Sequence, residues 1–225
     1  DEAQVDDVIC NGLRPVVAAH EHQLPDHFFN RSYDSSRNSV EWYIRANAND
    51  ALLKQVYTHL DTFLQGQVDY SGLSEFNETE HFFGSAGDLY LARYNSQTNN
   101  LAFYILEKTN GDYPKKLDAA LDIMIISADC AYDTIKRGYL SYCSHVNGFF
   151  TRWKDPQKIA ETFDRKYQKL RPYLHVKVTR LLEDCGGDEA YIHYRNEILS
   201  FKKTLTEAFK NDKITVTNIE SGDET

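Results

Sequence analysis

Pro114-Lys115-Lys116-Leu117-Asp118-Ala119-Ala120-Leu121-Asp122-Ile123-Met124-Ile125-Ile126-Ser127-Ala128 is the stretch whose reading decides the fold. Leu117, Ala120, Leu121, Met124, Ile125 and Ala128 recur at i, i+3, i+4 and i+7, the period of an amphipathic helix. Asp112 is placed to cap it, and Pro114 falls in its first turn, where proline is tolerated. The pattern runs on through Cys130, Ile135, Tyr139, Tyr142, Val146 and Phe149, with Gly138 able to kink or divide it. Beyond it, Asp155-Pro156 supplies a cap and a first residue for another helix carrying Ile159, Phe163, Tyr167 and Leu170. Pro172 should kink that helix or begin a new one. Leu174, Val178, Leu181 and Leu182 lead to Cys185, and Gly186-Gly187 stops it. Asp188 caps a last helix through about Lys210, and residues 212–225 read as a polar, flexible tail.

Upstream the signals are weaker. Residues 4–24 suit a helix interrupted by Gly12 and Pro15, and 25–38 look irregular. Ser39 is placed to cap a helix to about Gln65, with Trp42, Tyr43, Ala46, Leu53, Val56, Tyr57, Leu60 and Leu64 at helical spacing. Residues 66–85 form a second loop. Ser85 to about Glu107 is helical with a polar middle. The sum is an all-α antiparallel helical bundle, one domain over 1–211.

The chain has 225 residues, enough for a sizeable core, and a formal charge of −9. That balance argues against nucleic acid and against anionic membrane surfaces as partners. No run of 18 apolar residues occurs, so no helix spans a membrane. Fifteen Tyr, 12 Phe and 2 Trp can edge a core or line a semi-polar face.

The chain starts at Asp1 and its one methionine is Met124, which is the expectation for a removed signal peptide. Cys10, Cys130, Cys143 and Cys185 form an even set, suited to two disulfides in an oxidising compartment. A continuous helix would hold Cys130 and Cys143 about 20 Å apart. A hairpin folded at 151–155 brings Cys130 nearer in height to Cys185. That favours Cys130–Cys185 with Cys10–Cys143, although all three connectivities stay open. Asn30-Arg31-Ser32 and Asn77-Glu78-Thr79 fit the N-glycosylation pattern and fall in the two loop-rich stretches. These features together point to a secreted, extracellular glycoprotein.

Reactive groupings are sparse. His20-Glu21-His22 with Asp26 and His27 is the densest set of metal-ligand types, but His-x-His on a helix points its rings apart, and an exposed polar helix end explains it. No metal and no cofactor are assigned. Asp118 with Asp122, and Asp129 with Asp133, are four apart; such acids usually make a helix's solvated face. No nucleophile elbow, phosphate loop or dinucleotide fingerprint is present. Tyr132, Tyr139 and Tyr142 could line a ligand slot between helices, and equally form a core seam.

The four cysteines, including Cys130-Ala131-Tyr132 through Ser141-Tyr142-Cys143, give a plan that resembles small secreted four-cysteine helical insect proteins of the mosquito salivary type. The resemblance implies a non-enzymatic factor that binds a host molecule, a small agonist or a structural partner such as cuticle. The expectation is therefore a secreted binding protein with no catalytic residues, acting through a protein partner. The alternative is a carrier of a small molecule in a Tyr/Phe-lined cavity. A hydrolase with a dispersed site ranks third.

Overall fold

Helices dominate a computed structural model of the chain, which describes residues 2–24, 26–33, 38–44, 50–65, 84–132, 134–150 and 152–214. The chain divides into two compact units, Asp1–Lys116 with Lys203–Thr225, and Leu117–Lys202.

The first unit opens with α1 (Glu2–Asp7), a π-helical turn (Val8–Leu13) and α2 (Arg14–His20). Pro15 lies in the first turn of α2, where its missing N–H costs nothing. Gly12 permits a close approach, since a Cβ there would lie 2.9 Å from the Leu64 side chain. Next come β1 (His27–Tyr33) and β2 (Asn38–Ile44), an antiparallel ribbon pairing Phe28 with Tyr43 and Phe29 with Trp42. Here the structure departs from the expected loop over 25–38 and the helix from Ser39. Val40, Trp42 and Ile44 alternate with Glu41 and Tyr43, a strand period that the helical spacing of Trp42, Tyr43 and Ala46 masked. The helix proper is α3 (Asp50–Leu64).

One face of the ribbon closes the core. Val5, Ile9, Leu13 and Phe103 form one cluster, against which Phe29, Val40 and Trp42 pack. Val16, Leu52 and Val56 form another, which also takes Trp42 and Ile44. The buried Asp6 is paired with Arg31 at 2.7 Å and with Lys116, tying α1 to β1. Residues 84–109 make one unbroken helix, α4 (Gly84–Thr109). Its polar middle, which weakened the sequence signal, serves the ribbon. Asn99 donates to the His27 carbonyl at 2.8 Å, and Ser96 Oγ accepts from the His27 N–H at 3.3 Å. These bonds satisfy main-chain groups that burial would otherwise penalise.

The second unit is built from α5 (Tyr113–Ala131, entering at Leu117), α6 (Ile135–Phe150), α7 (Pro156–Asp184) and α8 (Glu189–Lys210, leaving at Lys202). Asp112 caps α5 by accepting from the Lys115 N–H at 3.2 Å. The long apolar pattern breaks at 132–134, and Gly138 then packs against α5. A Cβ at Gly138 would fall 2.2 Å from the Ala128 carbonyl oxygen, so only glycine fits.

The mostly helical expectation holds, but the disulfide bracing does not: Cys10, Cys130, Cys143 and Cys185 are all unbonded thiols. Cys130 and Cys185 are buried and behave as small apolar side chains. Burial pushes the Cys130 thiol up, against the lowering charge of Arg195. Asn30 stands on the exposed side of β1 rather than in a loop. The Asn77 sequon, Asp133 and residues 215–225 of the tail lie outside the described residues.

Candidate functional site on helix α7

Asp155 starts α7 by accepting from the Lys158 N–H at 3.0 Å, with Pro156 at its first position. Pro172 lies inside the helix without ending it. The stop comes at Cys185, whose φ of 56° is left-handed, followed by Gly186 at 68°. The result is 29 residues of helix in which, among the described residues, Leu181 is the buried one.

One face of α7 is anchored to α5. Lys177 Nζ lies 2.5 Å from Asp122 Oδ1 and 3.0 Å from Asp118 Oδ2. The Tyr173 hydroxyl donates to Asp118 Oδ1 at 2.6 Å, and Lys177 stands 5.7 Å over the Tyr173 ring. The buried Tyr191 hydroxyl of α8 also reaches Asp122. Lys177 and Asp122 are only 11% and 12% exposed. Burial would lower the Lys177 ammonium, but hydrogen bonds and charge from both carboxylates hold it above its ordinary value. Burial also lifts Asp122 and outweighs Lys177. Asp118 is lifted by burial too, but Tyr173 and Lys177 bring it below the usual carboxylate range. Of the two acids expected on a solvated face, Asp122 thus turns inward onto Lys177 while Asp118 stays half exposed, and together they fix the roll of α7. Further along, Arg195 of α8 reaches Asp129 at 2.9 Å, and Ser127 meets the Tyr194 hydroxyl at 3.0 Å.

Fixing one face presents the other. At 100° per residue, His175 lies roughly 160° around the helix from Tyr173. Arg171, four residues earlier, shares its face. Both are exposed. They belong to a run, 165–180, with Arg165, Lys166, Lys169, Arg171, Lys177 and Arg180 and no acid, in a chain of net charge −9. The global charge of −9 and the acids at the chain ends hide this basic segment. The signal that could have found it is local charge taken against the chain average. An imidazole beside a guanidinium can move a proton next to a bound anion.

The other candidate residues are dispersed. Tyr142 lies near Tyr132 and Tyr194, whereas Tyr139, 64% exposed, hydrogen-bonds Cys143 one turn on. The described hollows, about 490 and 450 Å³, are open grooves bordered by residues 54–62 and 153–163, unlike an enclosed slot lined with Tyr and Phe. In the first unit His20 and His27 part company. His20 turns to His59 of α3, while His27 Nδ1 accepts from Trp42 Nε1 at 3.1 Å. Burial holds the His27 imidazole below its ordinary value, against the raising charge of Asp26. Among the described residues no three His, Cys, Asp or Glu converge as a metal cage.

A mostly helical protein with a locally basic helix is the class these features define. The chain belongs to the family described as the lantibiotic biosynthesis dehydratase C-terminal region, which matches residues 1–220. Two solved structures share the fold. TsrL superposes with a TM-score of 0.76 at 17% identity, over 99% of this chain and 70% of that one. TbtD, the pyridine synthase from thiomuracin biosynthesis, superposes with a TM-score of 0.75 at 16% identity, over 92% of this chain and 80% of that one. No curated protein matches the chain. The family membership overturns the expectation of a secreted, non-enzymatic binding protein or carrier and the likeness to insect salivary proteins. Four cysteines on a helical plan occur by chance, and without a bonded pair they carry no kinship.

Proposed function

We propose that this chain is a domain of a peptide-modifying biosynthetic enzyme that carries out eliminative dehydration of hydroxyl-bearing residues. The observation that carries the reading is the family match over residues 1–220. Elimination needs a base for the α-proton and a cation for the departing oxygen. On the outer face of α7, His175 takes the α-proton. The C–H electron pair becomes the Cα=Cβ bond, and the Cβ–O pair leaves with the carboxylate of an ester already formed on that hydroxyl, which Arg171 holds while His175 passes its proton to solvent. Arg171, about 40° from His175 around the helix, draws a negatively charged substrate to this face. The Asp118–Asp122–Lys177–Tyr173 network keeps the helix in register with α5 and plays no part in bond breaking.

The test is mass spectrometry of a serine- or threonine-bearing precursor peptide, its hydroxyl already activated as an ester, incubated with the chain. The expected product is a dehydroamino acid. His175→Ala should cut kcat by roughly 10²–10⁴-fold with an unchanged unfolding midpoint. Full activity in that variant would sink the assignment. The fold shared with TbtD, a pyridine synthase, favours a second reading, formation of a pyridine ring. A new aromatic chromophore without further loss of the ester's acid would select it.

A further inference from the structure

His20 and His59 are far apart in sequence and meet where α2 packs on α3. His20 Nε2 lies 3.4 Å from His59 Nδ1, and the rings are steeply crossed at 72°. In the neutral rings this separation makes a long N–H···N hydrogen bond, beyond the roughly 2.7–3.2 Å of a well-made one. It is, however, the bite of two imidazoles on one ion. Two nitrogens at about 2.0–2.1 Å from a tetrahedral zinc stand about 3.3–3.4 Å apart. We infer that His20 and His59 form a two-histidine site for a divalent transition metal such as Zn²⁺ or Cu²⁺. Imidazole suits these ions, with copper the tighter binder.

The surroundings leave room for the remaining ligands. His59 borders an open hollow of about 490 Å³ whose other walls are Lys54, Gln55, Thr58 and Thr62. No third His, Cys, Asp or Glu among the described residues completes a cage, so water or an exogenous donor fills the other positions. His20 Nδ1 is buried and makes no hydrogen bond among the described residues. A ligand histidine normally gains affinity from a partner at that nitrogen, and lacking it places this site about 10–100-fold below one so supported.

The test uses the chain stripped with a chelator and titrated with Zn²⁺ and separately with Cu²⁺, followed by calorimetry and by thermal unfolding. One saturable site per chain is expected, with a midpoint that rises with metal concentration, since binding favours the folded state. His20→Ala and His59→Ala should each weaken binding by at least about tenfold, while His22→Ala, two residues from His20, leaves it unchanged. The Cu²⁺ electron paramagnetic resonance spectrum should show two coordinating imidazole nitrogens, reduced to one in either variant. That readout separates a lost ligand from a disturbed fold. No saturable binding below about 1 mM, or a site that survives both substitutions, would overturn the proposal.

Discussion

Asp118 sits at the edge of the α5–α7 network with its carboxylate split between a phenol and an ammonium. Its folded value is held below the ordinary 3.8. It therefore contributes stability above the unfolded value, and that contribution is lost as pH falls through the depressed folded one. Lys177 works at the opposite limb. Its value is raised above 10.5, so its contribution holds below that value and disappears as pH rises through the folded one. Asp122 opposes Asp118, because burial lifts it above 3.8 and protonation relieves the cost of its charge. Asp118→Asn should accordingly flatten the acid limb of the stability profile, read as denaturant midpoints across a pH series. An unchanged acid limb would mean that Asp118 is not the group held by Tyr173 and Lys177.

Among the elements, the α5–α6 hairpin depends on one missing side chain. A methyl group at Gly138 would meet the backbone of Ala128, which cannot rotate away as a side chain can. Gly138→Ala should destabilise the second unit by about 1–3 kcal/mol or more, the usual cost of overpacking, measured by urea unfolding. An Ala at Gly148, where nothing lies within 4 Å of the added carbon, is the matched control and should be neutral or slightly stabilising through helix propensity. The β1–β2 ribbon teaches a different lesson. Its two strands carry a period-2 pattern on β2, yet aromatic residues at 42 and 43 also satisfied a helix template. The contest was settled by what Trp42 and Phe29 pack against, the α1–α4 core, and that is absent from local pattern.

At the scale of the molecule, the first unit is not one continuous piece of chain. Residues 203–225 return to it, and Ala208 and Ile214 are buried there. Truncation after Lys202 should thus lower the stability of this unit by about 2–3 kcal/mol, the burial worth of a large aliphatic side chain with a small one. Trp42 fluorescence reports on the unit. Unfolding curves unaltered by the truncation would show that the return of the chain contributes nothing. The same topology bears on function, because α7, with its basic run, belongs wholly to the other unit.

The chain's sequence by itself determined that 113 to 210 is helical, with caps at Asp112, Asp155 and Asp188 and a stop at Gly186-Gly187, but not the break before Ile135, which it placed at Gly138, nor the continuity of α7 through Pro172. Those signals are local: period, capping and positive φ are fixed by neighbours a few residues away. It also determined the absence of a membrane-spanning helix among the described residues. Tertiary structure alone decided the rest. It turned Asp122 inward onto Lys177, left the four thiols unbonded, paired 27–33 with 38–44, and brought His59 to His20. Each of these depends on a partner on another element or on burial, and no local pattern encodes what lies across a core. The site on α7 was half legible. Its residues form a visible local charge run, but which face they present follows from the ion network on the other side of the helix.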